Sequence, residues 1–342
     1  MERAIVNTSN LFVEKRHNVT LLVLDETISS FYPIHPSVKM IQQPFSFGIT
    51  PEGNVISRKI RLLTDVLKLR KLLRKLEPDI IIASEYPFAA AAILSGAKKK
   101  SKIISWEHHH FYELKRNVFW NKVFKITYPR LNAVVCLNED ERKLFNTINP
   151  NPVVIPNFTE QAEPSRLINK MMLTVGRLTS VKGTDLLLQT AKIVLQKHPD
   201  WQWKLIGEGD MKNAVIQFIN ENNLGDQLIL QSPVNHDIID QFRDASLYIM
   251  TSRNECFPMT LLEAQSVGLP CIAFDCDSGP RHIITQQVNG LLIEKENVSQ
   301  LVEAISSIID DEETRKKMGE KAIENIQRFS RKKIFELWNT TI

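Results

Sequence analysis

Short apolar runs rich in β-branched residues alternate with longer segments of 3.6-residue period along the whole chain, the rhythm of strands joined by crossover helices that builds parallel sheets. In the first half this pattern predicts strands over 19–24, 79–83, 102–106, 133–136 and 153–155. Residues 55–76 place Ile60, Leu63, Leu67 and Leu76 among many Lys and Arg and stop before Pro78, which predicts a helix. The second half restarts the rhythm, with strands predicted over 171–175, 202–206, 228–230, 247–250, 271–274 and 290–293. Between the halves, PNFTEQAEPSR sets Pro156 and Pro164 in polar surroundings and reads as a linker. Two doubly wound α/β domains with a cleft between them follow, spanning 1–162 and 163–328, with 329–342 a C-terminal helix expected to pack back on the first domain. Ligands in such folds bind at the carboxyl ends of the strands.

Composition adds limits rather than an activity. A chain of 342 residues, 43% apolar and 24% charged, is an ordinary folded protein and not a disordered or fibrous one. Its longest weakly apolar run, FAAAAILSGA at 88–97, is half of the roughly 20 residues a membrane span needs. The start MERAIVNTSN has neither the basic stretch nor the apolar core of a secretory signal, so the cytoplasm is the expected compartment. Cys136, Cys256, Cys271 and Cys276 lack metal-ligand spacing and read as buried reduced thiols. The net charge of +4 is uneven: residues 1–160 carry +8 and the remainder −4. An anionic surface facing the first half, lipid headgroups or nucleic acid, would suit that split, as would simple solubility.

Two stretches can carry chemistry. The predicted strand MMLTV runs into Gly176 and Arg177, and Lys182 and Gly183 follow at the start of a helix near Thr184. Glycine permits close backbone approach, a helix start offers free N–H groups, and two cations suit a diphosphate. An ordinary strand-to-helix turn has the same outline. In TSRNECFPMTLLEAQSVGLPCIAFD, Glu255 falls in a loop and Glu263 about one turn into the helix that follows Pro258, where both can accept hydroxyls at the strand ends. Glu263 stands among Leu261, Leu262 and Ala264, where a solvated surface charge would be out of place.

GRLTSVKG, LIGEGD, ECFPMTLLEAQSVGLPCIAFD, SGPRHII and NGLLIE, in this order, resemble the nucleotide-sugar half of glycosyltransferase family 4, retaining enzymes of the GT-B fold with two Rossmann-like domains facing across a cleft. The resemblance spans about 130 residues; the first half resembles the acceptor half less strongly. It implies that Arg177 and Lys182 neutralise the donor diphosphate as the glycosidic bond breaks, and that Glu255, opening the family's E-x7-E motif, holds the donor sugar while Glu263 holds the ribose. Gly176, Phe257, Pro258, Met259 and Thr260 would bring backbone to the sugar and phosphates, and 205–209 and 230–234, with Gly207 and Val234, would flank the base. A cleft-facing histidine is expected from SWEHHHFY, His108 before His109; the tract could instead be metal-binding or merely solvated, although three successive side chains diverge too far for one ion.

By the same resemblance the donor is a nucleotide diphosphate sugar, UDP-linked, and no metal or further cofactor is required. Asp275 and Asp277 imitate the DxD metal motif of another fold and are expected instead to cap the turn and a helix near Pro280. The acceptor would be a lipid-linked or surface-polysaccharide glycan such as lipopolysaccharide or capsule. KLRKLLRKL, AKKKSK and KRNVFWNKVFKITYPR mix cations with apolar and aromatic residues, as a peripheral helix at the inner face of the cell membrane would; no nucleic-acid motif accompanies them. Two departures stand out. The match begins inside the family's first helix, so the usual first strand and glycine-rich loop are expected to be absent from this sequence, either because the true start lies upstream or because the chain is an inactive copy; an inactive nucleotide-sugar-binding remnant or assembly subunit is the rival reading. Cys256 also replaces the usual glycine.

Overall fold

The structure, a computed structural model, describes every residue except 25–29, 47–54, 114–115 and 234–237. It forms two compact units, Met1–Pro156 with Ile334–Ile342, and Asn157–Lys333. The first contains α1 (Glu2–Glu14), β1 (Thr20–Val23), β2 (Lys39–Gln42), α2 (Val55–Leu76), β3 (Ile80–Ser84), α3 (Tyr86–Leu94), β4 (Lys102–Trp106), α4 (Val118–Thr127), β5 (Ala133–Cys136), α5 (Glu139–Phe145) and β6 (Pro152–Val154). The second contains β7 (Met171–Val175), α6 (Thr184–Lys197), β8 (Gln202–Ile206), α7 (Lys212–Glu221), β9 (Leu228–Gln231), α8 (Ile238–Arg243), β10 (Leu247–Met250), α9 (Met259–Ser266), β11 (Cys271–Asp275), β12 (Gly290–Glu294), α10 (Val298–Asp310) and α11 (Glu312–Ile326), with α12 (Arg331–Thr341) ending the chain.

In the first unit, β3-β4-β5-β6 form one parallel sheet and β1-β2 a separate parallel pair. β4 and β5 are buried on both faces, which is why they read as unbroken apolar runs. The sequence pattern does not predict β2: its residues KMIQ are mostly exposed and leave no alternation to detect. The apolar run at 88–97 proves to be mainly α3, buried on every side and therefore without helical period. Trp338 of α12 is fully buried in this unit, edge-on to Phe12 at 5.7 Å and to Trp106 at 5.2 Å.

The second unit has a parallel sheet in the order β12-β11-β10-β7-β8-β9. The chain winds outward from β7 to β9 on one side and from β10 to β12 on the other. The carboxyl ends of β7 and β10, paired at Leu247↔Met172 and Tyr248↔Leu173, therefore lie side by side where the winding reverses. That is the position at which open parallel sheets take their ligands. Residues 157–162 pack with this unit: Asn157 Nδ2 donates to the Phe257 carbonyl at 3.3 Å and the Ala162 N–H to the Ser266 carbonyl at 3.1 Å. All four cysteines are buried thiols outside any disulfide.

Candidate functional site

The loop leaving β7 lies against the loop leaving β8. The Gly176 N–H donates to the Ile206 carbonyl at 3.0 Å, and a Cβ on Gly207 would come within 1.8 Å of the Gly176 carbonyl oxygen, so glycine is required at 207. Arg177 is exposed at the strand end and forms no ion pair among the described residues. Ser180–Lys182 form a single 3₁₀ turn that Thr179 caps. Gly183 then takes φ +67 to start α6, and its missing Cβ leaves room for the Thr251 carbonyl oxygen, which a methyl would meet at 1.9 Å. The Thr251 hydroxyl donates to the Gly183 carbonyl at 3.0 Å, tying the end of β10 to the start of α6.

Across that junction Lys182 Nζ donates to Glu255 Oε1 at 2.6 Å, and the Ser252 hydroxyl donates to the same oxygen at 2.8 Å. Two residues expected on sequence grounds thus share one ion pair at the switch point. Sequence reasoning passed over Arg253 and Asp185, which meet beside it through two 2.7 Å hydrogen bonds. Those bonds hold the Asp185 carboxyl below its ordinary pKa. Phe257 and Pro258 are buried, Pro258 caps α9 by position, and Met259 and Thr260 form the first turn, which has no side-chain cap. Glu263 is buried in the middle of that helix. Val234 lies outside the described residues.

The three histidines part company in the first unit. His108 is buried with its ring 4.4 Å from that of Trp106, and its Nε2 has no hydrogen-bond partner among the described residues. Burial holds its pKa well below the ordinary imidazole value, so the ring is neutral at pH 7. His109 instead pairs with Glu85, and that pairing raises its pKa. Glu85 itself has φ +80, a strained value for a residue with a side chain. His110 Nε2 stands 3.7 Å from Glu141 Oε1. Between these, Glu107 follows β4 directly, takes hydrogen bonds from Ser105 and Tyr128, and has its pKa raised to about 7 by burial.

The DxD look-alike is not a cap. The Pro280–His282 segment is one 3₁₀ turn rather than a helix, and its start has no side-chain cap. Asp275 accepts from Arg281 Nε at 2.9 Å and Asp277 pairs with Lys295 at 3.1 Å, so each carboxylate is neutralised by a cation instead. No group of three His, Cys, Asp or Glu suited to a metal occurs among the described residues.

Comparison with known proteins places both halves. Residues 158–325 match the family described as Glycosyl transferases group 1, and residues 1–162 match Glycosyltransferase Family 4. An uncharacterised glycosyltransferase of Haemophilus influenzae is 26% identical over 98% of this chain and 94% of its own. The amylovoran biosynthesis glycosyltransferase AmsD of Erwinia amylovora is 26% identical over 99% of this chain and 94% of its own. Among solved structures, the lipopolysaccharide outer core galactosyltransferase WaaB superposes with a TM-score of 0.74 at 22% identity over 99% of this chain and 94% of that one. S. aureus TarM, solved with UDP, superposes with a TM-score of 0.70 at 23% identity over 81% of this chain, which spans 58% of the TarM chain. These likenesses establish the GT-B fold.

Proposed function

Since this chain belongs to glycosyltransferase family 4, we propose that it is a retaining enzyme that moves a hexose or N-acetylhexosamine from a UDP-linked sugar to a lipid-linked or surface-polysaccharide acceptor. The observation that carries this reading is the Lys182–Glu255 pair, a cation and a hydroxyl acceptor 2.6 Å apart at the winding reversal of a parallel sheet. UDP in the TarM structure supports the choice of nucleotide, and the polysaccharide named for AmsD and the lipopolysaccharide core named for WaaB support the class of acceptor.

In this reaction the bond from the anomeric carbon to the diphosphate oxygen breaks and its electron pair leaves with the diphosphate. The acceptor oxygen attacks from the same face, and its proton passes to the departing phosphate, so configuration is kept without a protein base. Arg177 and Lys182 would stabilise the charge growing on the diphosphate, where electrostatic stabilisation contributes most. Glu255 would fix the sugar hydroxyls and Glu263 the ribose, while the N–H groups of Phe257, Met259 and Thr260 approach sugar and phosphate at the uncapped start of α9. Gly207 would border the base. His108 would contribute a neutral ring rather than a cation at pH 7. No metal is assigned a role.

Peripheral contact with the inner, anionic face of the cell membrane completes the reading. α2 and α4 both pack against α3. The outer face of α2 exposes Ile60, Leu63 and Leu67 beside Arg70, Lys71 and Arg74; that of α4 exposes Val118, Phe119 and Ile126 beside Lys122 and Lys125. Apolar side chains interleaved with cations suit a headgroup layer. No described helix is long and apolar enough to cross a membrane.

Donor hydrolysis and transfer assayed with a panel of nucleotide sugars, with a Glu255→Ala control, test the proposal. Turnover lost in the control supports it. Donor binding without any turnover would make the chain an inactive nucleotide-sugar-binding protein.

A further inference from the structure

We propose that Arg253 is a positioning residue for the donor site, locking the loop that carries Lys182 to the loop that carries Glu255. The inference rests on the transferase reading of those two residues.

Arg253 leaves the switch-point strand β10 two residues before Glu255, and its guanidinium reaches back over the loop after β7. Nη1 and Nη2 donate to the two carboxylate oxygens of Asp185, each at 2.7 Å, and Nη1 also donates to the Ser180 carbonyl at 2.5 Å. Nε donates to Glu296 Oε1 at 2.6 Å, and the backbone N–H of Arg253 donates to the Val181 carbonyl at 2.9 Å. One residue therefore holds the two positions immediately before Lys182, the first turn of α6 just after it, and the loop that follows β12.

An isolated surface ion pair adds little to stability, because two flexible side chains must be ordered in water. This arrangement differs in kind. A planar fork with both arms on one carboxylate and a backbone carbonyl on one of them admits a single placement of the two loops, and a lysine cannot reproduce it. What it fixes is the direction from which Lys182 reaches Glu255. A misplacement of about 1 Å in a group that faces the reacting atoms can lower the rate by about 100-fold.

The test uses the whole chain, with Arg253→Lys, Arg253→Gln and Asp185→Asn each made in the wild-type and in a Lys182→Ala background, and Arg253→Gln combined with Asp185→Asn in the wild-type background. kcat and KM are measured with the nucleotide sugar that the donor panel identifies, UDP affinity by calorimetry, and folding by thermal melting. In the wild-type background all three substitutions are expected to lower kcat/KM about tenfold or more, and Asp185→Asn should add nothing on top of Arg253→Gln. In the Lys182→Ala background each effect should shrink below about twofold, because the group being positioned is gone. Equal losses in both backgrounds, or a lowered melting temperature with unchanged kinetics and UDP affinity, would overturn the inference and leave Arg253 a structural brace. If the wild-type chain binds UDP without turnover, UDP affinity carries the same comparison. If it neither binds UDP nor turns over any donor, the transferase reading and the inference fall together.

Discussion

Lys182 and Glu255 occupy each other: the ammonium of one donates to the carboxylate of the other at 2.6 Å, with the Ser252 hydroxyl on the same oxygen. A donor that needs both residues must part them, trading one ion pair for a lysine–phosphate contact and a glutamate–hydroxyl contact. Glu255→Gln should therefore separate two quantities that usually move together. Free of its carboxylate, Lys182 is expected to bind UDP alone several-fold tighter, while transfer from the nucleotide sugar falls by about 100-fold as the charged hydroxyl acceptor is lost. Calorimetry with UDP alongside initial rates with the sugar donor checks both signs. Weaker UDP binding in the variant would show that the ion pair assists phosphate binding rather than competing with it.

Glycines offer a second check, because two of them that look alike in sequence differ in surroundings. A methyl on Gly183 would meet the Thr251 carbonyl oxygen at 1.9 Å with the backbone at φ +67, whereas a methyl on Gly225 has nothing within 4 Å. Gly183→Ala is expected to cost at least about 2 kcal/mol and to displace Lys182; Gly225→Ala should be close to neutral. Denaturant unfolding of the two variants measures the difference. Equal stabilities would mean that the loops after β7 and β10 are not clamped as described.

These contrasts mark what the sequence could and could not convey. Strands such as β5 and β10, buried on both faces, write their burial directly as apolar runs, and the loop position of Glu255 and the mid-helix position of Glu263 follow from the proline and the period around them. β2, mostly exposed and four residues long, writes nothing. The Arg253–Asp185 contact joins residues 68 positions apart. Only the pairing of β7 with β10 brings them together, and strand order is a property of the sheet that no local pattern carries. Lys295 likewise reaches Asp277 from beyond the neighbouring strand, because β11 pairs with β12, whereas Arg281 is only six positions from Asp275 and meets it through the path of the intervening turn.

The first unit should respond to pH through Glu107. Burial raises its carboxyl from the ordinary 4.5 to about 7, so the folded chain keeps a proton that the unfolded chain has already released. The stability this group contributes is complete below pH 4.5, declines as the pH climbs toward 7 and is lost above it. Glu107→Gln keeps an oxygen for the Ser105 and Tyr128 hydroxyls but has no proton to lose. It is expected to melt higher than wild type at pH 8, by the equivalent of up to about 3 kcal/mol, with the gap closing toward pH 4.5. His108 acts with the opposite sign: its lowered pKa makes acid destabilising below about 6.5 in both proteins. Melting curves that run parallel from pH 5 to pH 8 would exclude the Glu107 effect.

The outer faces of α2 and α4 make the membrane reading measurable. α2 presents Leu63 and Leu67 on the same side as Lys71 and Arg74, so its binding to an anionic bilayer should have an electrostatic part that salt removes and an apolar part that it does not. Leu63→Ser with Leu67→Ser is expected to weaken sedimentation with phosphatidylglycerol vesicles about tenfold or more even at low salt. Lys71→Gln with Arg74→Gln should reduce the salt dependence, at about 1 kcal/mol per cation near the surface. Phe119→Ser tests α4 in the same assay. None of these side chains belongs to the donor site, so hydrolysis of a soluble nucleotide sugar should stay at the wild-type rate. Vesicle binding equal to wild type in both the serine and the glutamine variants would show that these faces meet something other than lipid, and the lipid-linked acceptor would lose its structural support.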